Sequence, residues 1–86
     1  MSDPVPIVVY TRQECHLCDV AEETIHEVAD STGVPVDIDV IDVDTDSALT
    51  EEYGDRVPYV YVDGRPAFKF EVDPERLREK LDAARD

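Results

Sequence analysis

The 86-residue chain reads as one α/β domain, a four-stranded mixed sheet with helices on its faces, in the order β-α-β-α-β-β-α. Three observations predict this. A β-branched run, Ile7-Val8-Val9-Tyr10, passes into a stretch with apolar residues every three or four positions, which is a strand feeding a helix. Val36, Ile38 and Val40 alternate with aspartates, the period of a second strand. Further on, Asp63-Gly64 separates two apolar runs, a strong hairpin signal. A strand–helix–strand unit makes the first two strands parallel with a right-handed crossover. The hairpin makes the last two antiparallel.

Each element has its own local reason. Pro4-Val5-Pro6 leads into the first strand, Ile7 to Tyr10, and Thr11-Arg12-Gln13-Glu14 is a loop. From Cys15 the pattern is helical. Leu17, Cys18, Ala21, Ile25, Val28 and Ala29 form an inner stripe, and Asp19, Glu22, Glu23 and Glu27 fill the outer face. Gly33 is a natural stop. The second strand loses its phase at Ile41, so it is expected to end or bulge there. Asp46 caps a short helix, Ser47 to Tyr53, that ends at Gly54. Val57 to Val62 is the third strand and Pro66 to Val72 the fourth. Asp73-Pro74 is a cap followed by a first-turn proline, and Leu77, Leu81 and Ala84 mark the inner stripe of the last helix.

Composition excludes several function classes. The chain has 22 acidic and 8 basic residues, a formal net charge of −14. Phosphate contacts need clustered Lys and Arg, so nucleic acid is not an expected partner. An anionic membrane surface is excluded on the same ground. No apolar run approaches the roughly 20 residues of a membrane span. The N-terminal stretch MSDPVPIVVY lacks the basic lead and apolar core of an export signal, so a reducing cytoplasm is expected. Such a charge is self-repelling at low salt and tolerable in molar salt, where the Debye length is about 3 Å. The acid is spread along the whole chain, which points to a salt-rich cytoplasm of the halophilic archaeal kind rather than to a docking patch.

The chemistry concentrates in Glu14-Cys15-His16-Leu17-Cys18, which holds both cysteines of the chain. Two thiols at this spacing are a redox couple, half of a metal site, or inert. A bridge across two residues would constrain the unfolded chain little, so a structural staple is a poor explanation. The motif follows a strand and opens a helix within a β-α-β unit, which favours redox chemistry. The thiolate is the nucleophile, and the unpaired N–H groups of a first helical turn favour it. Cys15 falls at or before that turn and is exposed. Cys18 lies one turn inside and is more enclosed. This suits attack by Cys15 and resolution by Cys18. A closed metal site needs four ligands, and one chain supplies two cysteines with His16 tied to the same turn. Two chains could share a metal or an iron–sulfur cluster, which is the alternative function.

The stretch Tyr10-Thr11-Arg12-Gln13-Glu14-Cys15-His16-Leu17-Cys18-Asp19, with Arg56-Val57-Pro58 and Tyr59-Val60-Tyr61-Val62-Asp63-Gly64 further on, resembles a Cys-His-Leu-Cys subgroup of glutaredoxin-like proteins in the thioredoxin-fold superfamily. The resemblance spans essentially the whole chain. It implies a thioredoxin/glutaredoxin-like fold and thiol–disulfide oxidoreductase activity. It also implies a cis bond before Pro58, facing the cysteines, and a Val57 backbone that pairs with a bound thiol peptide as an added strand. Arg12 stands where glutaredoxins carry a basic residue three before the first cysteine. It is expected to raise the thiolate fraction or to hold a substrate carboxylate; the alternative is a surface arginine offsetting Glu14.

The chain also departs from that pattern. Glutaredoxins place a glycine pair after the last strand, and this chain reads Phe68-Lys69-Phe70-Glu71-Val72-Asp73-Pro74. Glu71 and Asp73 there would repel an anionic tripeptide, which counts against glutathione. The Trp and Gly-Pro of thioredoxins are absent, and Glu14 beside Cys15 opposes thiolate formation. His16 is a candidate to stabilise the Cys15 thiolate or shuttle a proton, or else a solvent-facing residue. His26 reads as surface. Asp42-Val43-Asp44-Thr45-Asp46 opens like a calcium loop, but Ser47 and Tyr53 stand where glycine and glutamate are needed, so it reads as a strand exit and a cap. Tyr59 is a core strand residue or lines the substrate groove.

The expected protein is a single domain over residues 1–86, a monomer with Cys15 and Cys18 catalytic and no cofactor beyond that couple. Arg12, His16, Val57, Pro58 and Tyr59 are the expected substrate-binding residues. The partners are a disulfide-containing protein or small thiol and an upstream reductant.

Overall fold

The computed structural model describes residues 3–84. The two residues at each end of the expected 1–86 domain lie outside them. The elements are β1 (Val5–Thr11), α1 (His16–Thr32), β2 (Val36–Asp42), a 3₁₀ turn (Val43–Thr45), α2 (Ser47–Tyr53), β3 (Tyr59–Val62), β4 (Arg65–Lys69) and α3 (Pro74–Ala84). The sheet order is β2-β1-β3-β4. β1 and β2 are parallel, from Val5↔Val36 to Thr11↔Asp42, with α1 as the crossover. β3 is antiparallel to both β1 and β4. This is the expected four-stranded mixed sheet of the thioredoxin/glutaredoxin-like fold.

One face of the sheet carries the main core. Ile7, Val9, Val60 and Val62 point from the strands toward Ala21, Ile25 and Val28 of α1 and Leu77 and Leu81 of α3. Ile7, Val9, Ile25, Val60, Leu77 and Leu81 are fully buried. Each such side chain contributes about 1.5–3 kcal/mol relative to exposure. The opposite face belongs to tyrosines. Tyr10 stacks on Tyr53 of α2 with ring centroids 4.2 Å apart, and Tyr59 and Tyr61 flank that pair. The hydroxyls of Tyr53 and Tyr61 share a hydrogen bond of 3.0 Å.

Several elements end where their residues require. Gly33 takes φ 71° and its N–H donates to the Ala29 carbonyl at 3.1 Å, closing α1. The Asp46 Oδ1 accepts the Ala48 N–H at 2.8 Å and caps α2. The Asp73 Oδ1 accepts the Glu75 N–H at 3.0 Å ahead of α3. Asp63 and Gly64 both have positive φ, 54° and 78°, as a two-residue hairpin turn of the right twist demands.

The structure corrects four local expectations. β2 neither ends nor bulges at Ile41 but runs in register to Asp42. The apparent slip is a change of covered face: Val40 is exposed and Ile41, on the other face, is half-buried. Leu17 belongs to the periodic stripe of α1 and yet is 47% exposed, because it stands in the first turn and faces an open groove. β3 starts at Tyr59 rather than Val57, after the proline. β4 stops at Lys69 because Phe70 turns the chain with φ 71°.

Candidate active site

The cysteine motif is built by a sharp change of backbone direction. β1 ends at Thr11, and Glu14 takes a left-handed φ of 56°. A left-handed residue other than glycine costs roughly 1–2 kcal/mol, and such strain gathers at functional sites. The turn delivers Cys15 in extended geometry (φ −104°, ψ 101°) as the N-cap of α1. Its Sγ accepts the Cys18 N–H at 3.1 Å, the position that a serine or aspartate oxygen takes in an ordinary cap. The Cys15 carbonyl accepts the Asp19 N–H at 3.2 Å, so the helix begins immediately.

Cys15 and Cys18 are joined by a disulfide, with Cα atoms 5.2 Å apart. The two sulfurs differ in access. Cys15 is half-buried, whereas Cys18 is 1% exposed and set against the core. His16 is the first residue of α1 and is exposed; His26 is exposed on its outer face.

The strand register brings the second motif to the same end of the sheet. Tyr10 pairs with Tyr59, so the exit of β1 toward Cys15 lies beside the entry of β3 from Val57-Pro58. The Val57–Pro58 bond is cis and Pro58 is fully buried. The exit of β4 joins them through the Phe70 N–H, which donates to the Pro58 carbonyl at 2.8 Å. Val57 and Tyr59 are half-buried. Tyr59 turns toward Tyr53 and Tyr61, on the tyrosine face.

Beside the motif, an open groove of about 640 Å³ runs between Leu17, Val20 and Thr24 of α1 and the segment from Phe68 to Pro74. Of the four large apolar side chains exposed among the described residues, Leu17 (47%), Val20 (43%) and Phe70 (43%) line it. Its helical wall begins at Leu17, which lies between the two cysteines in sequence, and its other wall is the segment that replaces the glycine pair.

Arg12 is engaged elsewhere. Its Nε and Nη2 donate to the two carboxylate oxygens of Asp44 at 3.2 and 2.9 Å, and Nη1 donates to the Gly54 carbonyl at 3.1 Å. The hydrogen bond and charge of Asp44 push the guanidinium above its ordinary value. Glu14, the partner suggested by nearness in sequence, is not among these contacts. Sequence reading passed over Asp44 and Gly54 as site-supporting residues. Asp44 stood inside the aspartate run already explained as cap and strand exit, and its partner is 32 residues away. Phe70 was passed over too, since its exposure and its backbone turn leave no local mark. Among the described residues no cluster of three His, Cys, Asp or Glu side chains is placed to hold a metal ion.

Comparison with known proteins agrees with this geometry. Residues 6–82 match the family model described as glutaredoxin-like domain (DUF836). An uncharacterised protein of Mycobacterium tuberculosis is 36% identical over 81 residues, covering 91% of this chain and 82% of that protein. The crystal structure of a structural-genomics target protein from X. campestris superposes with a TM-score of 0.74 at 35% identity, covering 91% of this chain and 97% of the other. A Nitrosomonas europaea protein solved by NMR gives a TM-score of 0.73 at 25% identity, covering 90% and 91%. A thioredoxin from Halobacterium salinarum shares the fold, with a TM-score of 0.63 at 24% identity over 98% of this chain and 77% of its own. The relatives at family level are bacterial and lend no support to a halophilic archaeal origin. The strand-to-helix cysteine cap, the cis-proline entry to β3 and the match over residues 6–82 together mean that the chain belongs to the glutaredoxin-like domain family.

Proposed function

We propose that this chain is a thiol–disulfide oxidoreductase whose redox centre is the Cys15–Cys18 couple. The observation that carries the reading is the cap. A half-buried sulfur accepts a backbone N–H at 3.1 Å in the first turn of a helix, and its partner sulfur is 1% exposed one turn further in. That arrangement favours a thiolate on Cys15 and keeps Cys18 for the second step.

In the reducing direction the Cys15 thiolate attacks one sulfur of a substrate disulfide. A mixed disulfide forms, and the other substrate sulfur leaves as a thiolate that takes a proton from water. Cys18 gives up its proton and attacks the Cys15 Sγ. The second substrate thiolate leaves, and the Cys15–Cys18 disulfide closes. Two electrons pass to the substrate, and an upstream dithiol returns them by the same exchange in reverse. The couple carries these electrons without a further cofactor.

Pro58 shapes the cleft opposite the cysteines, and the Val57 backbone pairs with an extended substrate segment. His16, exposed at the helix start, is the remaining group at its rim, whereas Tyr59 turns to the tyrosine face. The segment from Phe68 to Pro74 has no glycine pair, and its Glu71 and Asp73 line the groove beside the cysteine motif, so a disulfide in a protein is favoured over glutathione as substrate. The setting that fits is a reducing, salt-rich cytoplasm, with the protein acting as a monomer.

The test is thiol alkylation followed by intact mass, in molar KCl, before and after dithiothreitol and then a mild oxidant. Two labels when reduced and none when oxidised, reversibly and without metal, support the reading. Labelling that stays blocked until a chelator is added would replace it with a metal or iron–sulfur carrier that shares the same cysteines in a dimer.

A further inference from the structure

We propose that Arg12 is a positioning residue, a brace that joins the segment entering Cys15 to the segment entering Pro58 and so sets the cleft between them. The proposal rests on the redox reading of the cysteine pair. Arg12 is the first residue beyond β1 and lies three before Cys15. Gly54 ends α2 and lies four before Pro58. One guanidinium binds the Asp44 carboxylate through two nitrogens and the Gly54 carbonyl through the third. Both flanks of the candidate site therefore meet in one planar fork.

The surroundings are arranged for this contact. A side chain at position 54 would run into the Thr50 carbonyl, so glycine is needed at this end of α2, and the added Cβ would stand 3.3 Å from the Arg12 Nη1, close enough to push the guanidinium aside. The brace then continues along the chain. The Arg56 N–H donates to the Tyr53 carbonyl at 2.7 Å, and the Pro58 carbonyl accepts the Phe70 N–H at 2.8 Å. Among the described residues, four side-chain hydrogen bonds join positions more than 30 apart; three are made by Arg12 and the fourth joins Arg78 to Ser31. Long-range polar tethering is thus concentrated beside the cysteines.

Global stability does not explain the arrangement. The side chains of Arg12 and Asp44 are 38% and 41% exposed, and pairs so exposed add little to folding. What the fork supplies is geometry, which a lysine cannot copy. Small displacements of reacting groups cost rate out of proportion to their size.

The test compares Arg12→Lys, Arg12→Ala and Asp44→Asn with wild type in three measurements. The first is KM and kcat for a disulfide-bonded peptide. The second is the pH profile of Cys15 alkylation by iodoacetamide. The third is amide hydrogen exchange. All three variants should raise KM by roughly 3- to 10-fold, within the range that misplacement allows, and leave the alkylation profile in place. Exchange should accelerate in both 11–15 and 54–58 while the Ile7 and Leu77 amides stay protected. Wild-type behaviour of Arg12→Lys would overturn the proposal. So would an alkaline shift of the alkylation profile in Arg12→Ala, which would put Arg12 on the sulfur. Faster exchange confined to 11–15 would show that the two segments are not coupled. Should Arg12→Ala fail to fold, Asp44→Asn carries the same measurements. If wild type reduces no disulfide, the redox reading falls, and hydrogen exchange still decides whether the brace exists.

Discussion

The N–H of Cys18 points at the sulfur of Cys15 across 3.1 Å, while the sulfur of Cys18 itself is sealed under α1 with 1% of the residue exposed. On the proposed redox reading, the two cysteines should therefore differ in reactivity. After reduction, Cys15 should alkylate at least about 10-fold faster than Cys18 at neutral pH, because thiolate character and access both favour it. Cys15→Ser should abolish disulfide reduction, and Cys18→Ser should accumulate a mixed disulfide visible by intact mass. Equal alkylation rates at the two positions would remove the division of labour.

Core and surface positions of α1 and α3 should separate cleanly in unfolding experiments. Ile25 and Leu77 are fully buried, so Ile25→Ala and Leu77→Ala should each cost about 2–5 kcal/mol. Leu17 shares the helical period with Ile25 but is 47% exposed, and Leu17→Ala should change stability by less than about 0.5 kcal/mol. Urea denaturation of the three variants checks the contrast.

Tyr53 should make the fold sensitive to alkali. Its hydrogen bond with Tyr61, and then burial, raise its pKa above the ordinary tyrosine value. The folded state thus holds a proton that the unfolded chain releases near about pH 10. The associated stability is fully present below that pH and is lost as pH rises toward the folded value. Tyr53→Phe should lose about 0.5–1.5 kcal/mol at pH 8. It should also lose less than wild type between pH 8 and pH 11. A parallel decline in both proteins would show that the alkaline loss comes from elsewhere.

Phe70 holds φ 71° with its side chain 43% exposed, so its strain is not offset by burial. Replacing it with glycine removes a backbone penalty of roughly 1–2 kcal/mol and adds about 0.5–1 kcal/mol of chain entropy cost. Phe70→Gly should therefore be neutral or stabilise by up to about 1.5 kcal/mol. It should also weaken binding of a peptide substrate through the lost groove wall. Clear destabilisation would mean that Phe70 contributes more through its contacts than its exposure suggests.

The formal charge of −14 predicts a strong response to salt. Repulsion between exposed carboxylates is screened as the Debye length falls from about 10 Å at 0.1 M to about 3 Å at 1 M. The thermal midpoint should rise by at least about 4 °C between 0.1 and 1 M KCl, the shift expected for about 1 kcal/mol in a domain of this size. A midpoint indifferent to KCl would leave the acidity without a solvent explanation.

Local chemistry was readable wherever one or two residues carry the whole effect. Asp46, Asp73 and the Asp63-Gly64 turn do what their side chains or backbone freedom dictate, and the structure places them so. The cis bond at Pro58 was expected only from the resemblance, since no local pattern in the residues marks an X-Pro bond as cis. Leu17 misled because periodicity reports a face and not how far the neighbouring layer extends. Ile41 misled because a strand can exchange its covered face without breaking register. The Arg12–Asp44–Gly54 contacts span 32 and 42 residues, and no local pattern announces a partner at that distance. The tyrosine cluster has the same origin. Tyr10, Tyr53, Tyr59 and Tyr61 come from β1, α2 and β3, and they meet only when the sheet forms.

The sheet order leaves β2 and β4 on the outside, each with one row of backbone groups unpaired by the sheet. Such rows are templates for edge-to-edge aggregation. β4 carries Pro66, which has no N–H to offer, and its register with β3 is broken by an irregularity at Val60/Tyr61. β2 carries Asp37, Asp39 and Asp42 along its seven residues, so a second copy would have to bring like charges together. The acid that solvates the chain therefore also guards its longer edge. Neutralising Asp37 and Asp39 would convert an inert border into a growing surface for amyloid-like stacking, with Val40 already bare to nucleate it.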